Sequence, residues 1–333
     1  VSRSTTSFAV ARRATFVPIF PDGMVAVIRT DRGFALPAGA ARGDEREPRD
    51  FALRILLETA GFRSQAVHAF AERDGQVFAW AEGDEYHGRR PHAVVPLEIG
   101  EPETVARLLR AHGAAGLADL VDEAVHSYRT IDRDAFMADD RAALERVYLA
   151  AQTAEGGSGF GGTPEEWRAA HEPITDAIDG DGTFLDLGCA NGLLMESAQQ
   201  WCRERGVDVE PYGVDIAPGL VRRARERLPR WADRIWLGDA ATWLHPEGRR
   251  FDYVHTLLDV VRPEARGRLV AHVRRSVVRP GGRLLVSHYA RSVVHDRSAA
   301  DQLRVLGFEV EGESRAASGD LHAPPTTAWL VAR

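Results

Sequence analysis

The chain has 333 residues, of which 44% are hydrophobic and 27% charged, with a formal net charge of −7. That length suits two domains and that composition suits a folded, soluble protein, while the acidic total speaks against binding along a nucleic-acid backbone. No apolar run approaches the ~18 residues of a membrane span, and Val1–Arg13 lacks a signal-peptide core, so a cytoplasmic location is expected. The two cysteines, Cys189 and Cys202, stand in no metal-ligand spacing and are a thin basis for a disulfide framework. All 42 basic residues are arginine. This excludes a P-loop lysine, a Schiff-base lysine and a lysine general base, and its codon chemistry points to a GC-rich bacterial genome.

In chain order, Thr15–Ile19, Val25–Ile28, Val77–Ala81 and Ala93–Pro96 read as short strands around one helical segment, Pro48–Ala60. From Pro102 to Gln152 the pattern is helical, with Val105, Leu108, Leu109, Leu117, Leu120 and Val121 recurring three and four apart. Gly156–Gly162 reads as a loop. These features divide the chain into a first domain (1–130), a helical linker with its Gly-rich loop (131–162) and a second domain (163–333). The second domain opens with the helix Pro164–Ile178 and then alternates strand and helix, as a parallel sheet covered by helices requires.

The apolar run Thr183–Leu187 leads into Asp186-Leu187-Gly188-Cys189-Ala190-Asn191-Gly192, and a helix pattern follows at Leu193, Leu194 and Ala198. A glycine turn between strand and helix lets backbone N–H groups approach a ligand closely. The next strand, Pro211–Val214, ends in Asp215, where a carboxylate is placed to accept both hydroxyls of a ribose. Then come Arg234–Leu237 ending in Gly238-Asp239-Ala240, Phe251–His255, and a helix marked by Leu269, Val270, Val273 and Val277. The turn Pro280-Gly281-Gly282 precedes a strand at Arg283–Ser287, and a hairpin of Leu306–Val310 with Thr327–Val331 closes the chain.

The order and spacing of Asp186–Gly192, Asp215, Asp239 and Pro280-Gly281-Gly282 resemble the class I S-adenosylmethionine (AdoMet)-dependent methyltransferases over residues 155–333. A dinucleotide oxidoreductase would not explain Gly238-Asp239-Ala240 or the Pro-Gly-Gly turn. The resemblance implies a seven-stranded Rossmann-like α/β sheet with one antiparallel strand at Thr327–Val331. It implies AdoMet as cofactor, with Gly188, Ala190 and Gly192 under its methionine part and Asp186 supporting the methionine end. Asp215 would hold the ribose and Asp239 with the Ala240 backbone the adenine edge, with Ile216 also among the cofactor-binding residues. Ala190 stands where many members have glycine. The Gly156–Gly162 loop and the helix with Trp167 and His171 resemble the segment that covers AdoMet in small-molecule members, or are a plain linker packed by Trp167.

Methyl transfer from a sulfonium is an in-line displacement that the protein serves by positioning, worth ~7–11 kcal/mol in favourable cases, and sometimes by removing a proton. Acceptor-facing groups are expected at the ends of the fourth and fifth strands of the sheet, which offer His255, Asp259, His288 and Tyr289. His255 is the candidate base, with a satisfied, partly buried histidine at a strand end as the alternative, while His288, the second catalytic-site candidate, and Tyr289 read as acceptor-pocket walls rather than catalytic groups. No metal cluster is apparent, so the expected partners are AdoMet and a small-molecule acceptor, with no metal, nucleic acid or membrane and a homodimer left open. The other reading is an AdoMet-binding sensor that no longer turns over.

At the front, Leu36-Pro37-Ala38-Gly39 through Gly61-Phe62 resembles the Nudix signature, with Gly39, Glu45, Arg54, Leu56, Glu58 and Gly61 fitting if one residue is inserted between Glu45 and Arg54. Where that family places three carboxylates for a divalent metal, this chain has Ile55, Glu58 and Thr59. The resemblance implies an α/β Nudix-like domain over 8–130 without pyrophosphohydrolase activity. The arginine-rich stretch Val221–Arg230 reads as a solvated helix face.

Overall fold

The computed structural model describes residues 13–20, 23–43, 45, 48–60, 64–83, 97–289, 298–317 and 324–333. The expected strand Ala93–Pro96 and the box residues Gly61 and Phe62 lie outside them. The chain forms two compact units; the first ends at Phe136 and the second starts at Met137.

In the first unit β1 (Arg13–Ile19), β2 (Val25–Thr30), β3 (Gly33–Ala35) and β4 (Ala38–Ala40) precede α1 (Pro48–Ala60), followed by β5 (Ser64–Arg73), β6 (Gln76–Gly83) and β7 (Leu97–Gly100). The strands make one mixed seven-stranded sheet, in which β1 lies parallel to β6 and antiparallel to β2 and β4. Helix α1 presses Ala52, Ile55 and Leu56 onto Phe16, Val77 and Ala79. The helical stretch is three helices: α2 (Pro102–Ala111), α3 (Ala115–Thr130) and α4 (Arg133–Ala150). Gly113, at φ +75°, separates the first two by taking the left-handed backbone that other residues avoid.

In the second unit α5 (Pro164–His171) begins at a capping box, where Thr163 Oγ1 accepts from Glu166 N and Glu166 Oε2 accepts from Thr163 N. The expected helix to Ile178 stops early and tightens to a 3₁₀ turn at Glu172–Ala177, because Pro173 has no N–H with which to continue the α-helical ladder. Then follow β8 (Gly182–Leu187), α6 (Leu193–Glu204), β9 (Val209–Asp215), α7 (Pro218–Arg227), β10 (Ile235–Leu237), β11 (Phe251–Leu257), α8 (Arg266–Ser276), β12 (Val278–His288), α9 (Ala299–Val305), β13 (Gly312–Arg315) and β14 (Thr326–Val331). Their sheet order is β10-β9-β8-β11-β12-β14-β13, parallel from β10 to β12, with β14 antiparallel to both neighbours. One face buries Phe184, Tyr253 and Leu285 under α5 and α6; the other buries Leu185, Val254, Leu284 and Val286 under α8 and α9.

Two expectations need correction. Pro280-Gly281-Gly282 is an irregularity inside β12, whose register to β11 shifts between Phe251 and Tyr253. Glycine is needed there, since a Cβ on Gly282 would fall 2.5 Å from the Asp252 carbonyl. The last hairpin uses Gly312–Arg315, not Leu306–Val310. Leu306-Gly307-Phe308 instead closes α9: Phe308 N donates to Leu303 O at 3.0 Å and Gly307 N to Arg304 O at 2.9 Å, with Gly307 at φ +85°. That pair of bonds is a Schellman stop, and a glycine between two apolar residues is its sequence mark.

Arginines fasten the second unit internally. Arg205 donates to Thr175 O at 2.7 Å, Arg225 to Ile235 O at 2.6 Å, Arg274 to Val331 O at 2.9 Å and Arg283 to Ala177 O at 2.7 Å. The arginine-rich face of α7 is therefore more than a solvated surface.

Candidate active site

The turn after β8 is built from left-handed residues: Gly188 at φ +91°, Ala190 at +47° and Gly192 at +78°. Gly188 N and Cys189 N both donate to Val214 O, at 2.8 and 3.0 Å, which ties the turn to β9. At the tip of β9 the Asp215 carboxylate accepts Ala190 N on one oxygen and Ala217 N on the other, each at 2.8 Å. Asp215 is buried, and this burial raises its pKa from the ordinary value; the two backbone donors oppose that, while nearby Asp186 and Glu145 add to it. Alanine in the left-handed region costs ~1–2 kcal/mol, and here the Asp215 bond holds it in place.

Asn191 is the hub of the turn. Its Oδ1 accepts from Leu193 N at 3.1 Å and from Ser158 Oγ at 2.7 Å, its Nδ2 donates to Ala154 O at 2.7 Å, and its carbonyl accepts from Arg227 Nε at 3.0 Å. The glycine-rich segment is thus bonded onto the turn, and a Cβ on Gly157 would fall 2.6 Å from Asn191 Nδ2. Helix α4 lies against α7 in the same unit: Glu145 accepts from Gly219 N, and Leu149 O accepts from Arg223. Between the two readings of this stretch, these contacts favour a segment laid on the turn over a bare linker.

Around the strand tips, Ile216 and Leu237 are large apolar side chains left 41% and 54% exposed, as a planar ligand requires of the surface it covers. Asp239 is exposed, with one oxygen accepting Ala241 N at 2.9 Å, and Ala240 beside it is buried. Left-handed glycines, an anchored carboxylate and uncovered apolar tips fit the donor and shape needs of AdoMet.

His255 is not placed as expected. Strand β11 continues two residues past it, so the ring sits inside the sheet, 3% exposed, with Nδ1 2.8 Å from Asp186 Oδ1 and Nε2 2.9 Å from Ser287 Oγ. Both ring nitrogens are hydrogen-bonded within the sheet and the ring is buried, away from any open surface where an acceptor could stand. Of the two readings, these contacts favour the buried, satisfied histidine. His288 closes β12 opposite Thr326 and is half-buried.

The sequence reading placed no catalytic weight on His171, yet it packs beside this region. Its ring stacks on Trp167 at 3.5 Å, with Phe160 at 5.3 Å and Tyr289 at 5.0 Å between centroids. His171 Nδ1–H donates to Trp167 O at 2.8 Å, so Nε2 keeps its lone pair. Burial lowers its pKa to about 4, opposed by the Trp167 carbonyl and reinforced by His255. Burial also pushes the Tyr289 hydroxyl well above its usual range, with Asp186 and Asp259 adding to the effect. Both cysteines are buried and free, and burial raises both thiols. Among the described residues no group of three His, Cys, Asp or Glu could hold a metal ion.

Residues 184–282 match a family described as a methyltransferase domain. Within the second unit these residues carry a methyltransferase domain. Among solved structures, the N-methyltransferase NodS from Bradyrhizobium japonicum WM9, in complex with S-adenosyl-L-homocysteine, is 17% identical, with the match covering 57% of this chain and 97% of that one at a TM-score of 0.43. A TehB-like methyltransferase from Corynebacterium glutamicum ATCC 13032 Kitasato is 20% identical over 51% of this chain and 95% of its own, at 0.36. The glycopeptide N-methyltransferase MtfA is 17% identical over 49% and 88%, at 0.39. No curated protein matches the chain.

Two stability measurements test the geometry of this candidate site. Ala190→Gly should raise stability by about 0.5 to 1 kcal/mol, the left-handed strain relieved exceeding the entropy that glycine adds to the unfolded chain; a lower urea midpoint would contradict the strain. For His171, the unfolded ring takes a proton near its ordinary value of 6.5 while the folded ring waits until about 4. Its contribution is complete above pH ~6.5 and is lost as pH falls toward 4, by on the order of 2 to 3 kcal/mol. Urea unfolding from pH 7 to 4.5 should therefore be steeper in pH for the parent than for His171→Phe. Parallel slopes would mean that the ring is not held neutral.

Proposed function

We propose that the chain transfers the methyl group of AdoMet to a small-molecule acceptor, and that the site just described does so. The observation that carries this reading is the Asp215 carboxylate, fixed by two backbone N–H groups beside a left-handed glycine turn. A carboxylate held this way keeps lone pairs for ribose hydroxyls without having to reorganise. Gly188, Ala190 and Gly192 give the methionine part room to lie on backbone, Asp186 takes its ammonium end, and Asp239 with Ala240 N takes the adenine edge. Ile216 covers the adenine face. AdoMet, when bound, supplies a methyl group already activated on a sulfonium sulfur.

On the acceptor side, His171, His288 and Tyr289 wall the place beside the methyl. A neutral His171 suits an acceptor whose proton becomes acidic only as the methyl arrives, because a weak base is enough for such a proton. The segment bonded to Asn191 lies directly on the turn and narrows the approach, which favours a small acceptor over a macromolecular one.

The first unit reads as a Nudix-like domain kept without hydrolysis. Its box residues gather as ion pairs: Arg54 binds Glu45 at 2.6 Å and approaches Glu58 at 3.6 Å, and Arg42 stands 3.3 Å from Glu58. The Arg54 guanidinium holds the Glu45 carboxyl below its ordinary range. Ile55 is in the core, and Thr59 Oγ1 donates to Ile55 O at 2.6 Å. Carboxylates neutralised by arginine, with an isoleucine between them, make a poor seat for a hard dication.

The cofactor assignment predicts that Asp215→Ala weakens S-adenosylhomocysteine binding ten- to about a hundredfold, the worth of ~1.5–3 kcal/mol for a charge-assisted hydrogen bond. Unchanged affinity by calorimetry in a folded variant would remove Asp215 from the site. For the first unit, no magnesium-dependent hydrolysis of nucleoside diphosphate derivatives is expected. Phosphate release that disappears in Glu58→Gln would make the protein bifunctional instead.

A further inference from the structure

Four buried polar side chains form a row across four neighbouring strands: Asp186 on β8, His255 on β11, Ser287 on β12 and Thr327 on β14. Asp186 is in register with His255, and Ser287 with Thr327. The links are 2.8 Å from Asp186 Oδ1 to His255 Nδ1, 2.9 Å from His255 Nε2 to Ser287 Oγ, and 2.7 Å from Ser287 Oγ to Thr327 Oγ1. All four residues are no more than 3% exposed.

Buried polar groups are costly unless each is satisfied, and a row like this one is satisfied in a particular sense. An ionised carboxylate can only accept, so His255 Nδ1–H donates to Asp186. A neutral ring then accepts at Nε2 from Ser287, whose oxygen in turn accepts from Thr327. Every donor points toward the carboxylate. Asp186 Oδ1 is consumed, while Oδ2 takes no hydrogen bond from the described residues and is not among their sealed, unpartnered atoms.

We propose that His255 is a positioning residue: backed by Ser287 and Thr327, it locks the Asp186 carboxylate in one rotamer and so presents Oδ2 to the ammonium group of the AdoMet methionine moiety. This rests on the reading of Asp186 as the group that receives the methionine end. It gives the buried histidine a task in cofactor recognition that needs no proton transfer. An ammonium held by a carboxylate free to rotate would be bound less tightly, since the ordering of that side chain would fall to the binding step. The adenosine part of the cofactor would not feel the change.

Two ligands that share the adenosine part separate this role from a general structural one. S-adenosylhomocysteine carries the amino-acid moiety, and 5′-methylthioadenosine lacks it. Calorimetry on the full chain should give His255→Phe a tenfold or greater loss of affinity for S-adenosylhomocysteine and less than a twofold change for 5′-methylthioadenosine. His255→Gln, whose amide can both donate to Asp186 and accept from Ser287, should recover most of the loss. Thr327→Val, a near-isosteric change at the far end of the row, should show the same selectivity at smaller size and serves if His255→Phe does not fold. Equal losses for both ligands, or no loss for either, would overturn the proposal. Failure of the parent protein to bind either ligand would overturn the cofactor reading beneath it, a different and recognisable result.

Discussion

The carboxylate of Asp215 is the joint on which the second unit turns. One oxygen holds the backbone of Ala190 in the turn after β8 and the other holds Ala217 ahead of α7. A residue in an unfavourable backbone region, the end of a strand and the start of a helix are thereby fixed to one rigid group. Local strain survives where the surroundings over-determine it, and here they do so with two short bonds to a buried charge. The glycine turn, the tips of β9 and β10 and the segment bonded to Asn191 all take their positions from this joint.

Burial works differently on His171, at the end of α5, and on His255, in β11. His255 is embedded among partners that satisfy both nitrogens, so its ring is part of a hydrogen-bonded row. His171 has one nitrogen tied to its own helix and its flat faces packed by aromatic rings, so burial keeps it neutral. Residue type alone does not tell a fastening from a reactive group. Which atoms remain uncommitted decides it.

Much of the left-handed turn after β8 was legible in the sequence because its residues are neighbours in the chain: Gly188, Ala190 and Gly192 encode the path, and Asp215 ends the next apolar run. The Asp186–His255 and His255–Ser287 links were not legible, since their partners lie 69 and 32 residues apart and only strand register brings them together. His255 does not end its strand, because β11 runs on through Thr256 and Leu257. Strand β5 escaped notice because Ser64–Arg73 mixes alanines and charges without clear alternation, and its pairing with β6 supplies the order that its pattern lacks. Leu306-Gly307-Phe308 looked like the start of a strand because apolar residues around a glycine also mark a helix stop.

The joints made by Arg205, Arg225, Arg227, Arg274 and Arg283 all end on backbone carbonyls. A guanidinium keeps its proton at any pH a protein survives, whereas an ammonium in the same place would begin to shed its charge in alkali. In a chain with no lysine, alkaline solution therefore has no amine side chain to discharge, and these ties between helices, strands and turns keep their donors. Loss of the fold at high pH would have to begin elsewhere, at tyrosine hydroxyls or cysteine thiols that burial now holds protonated.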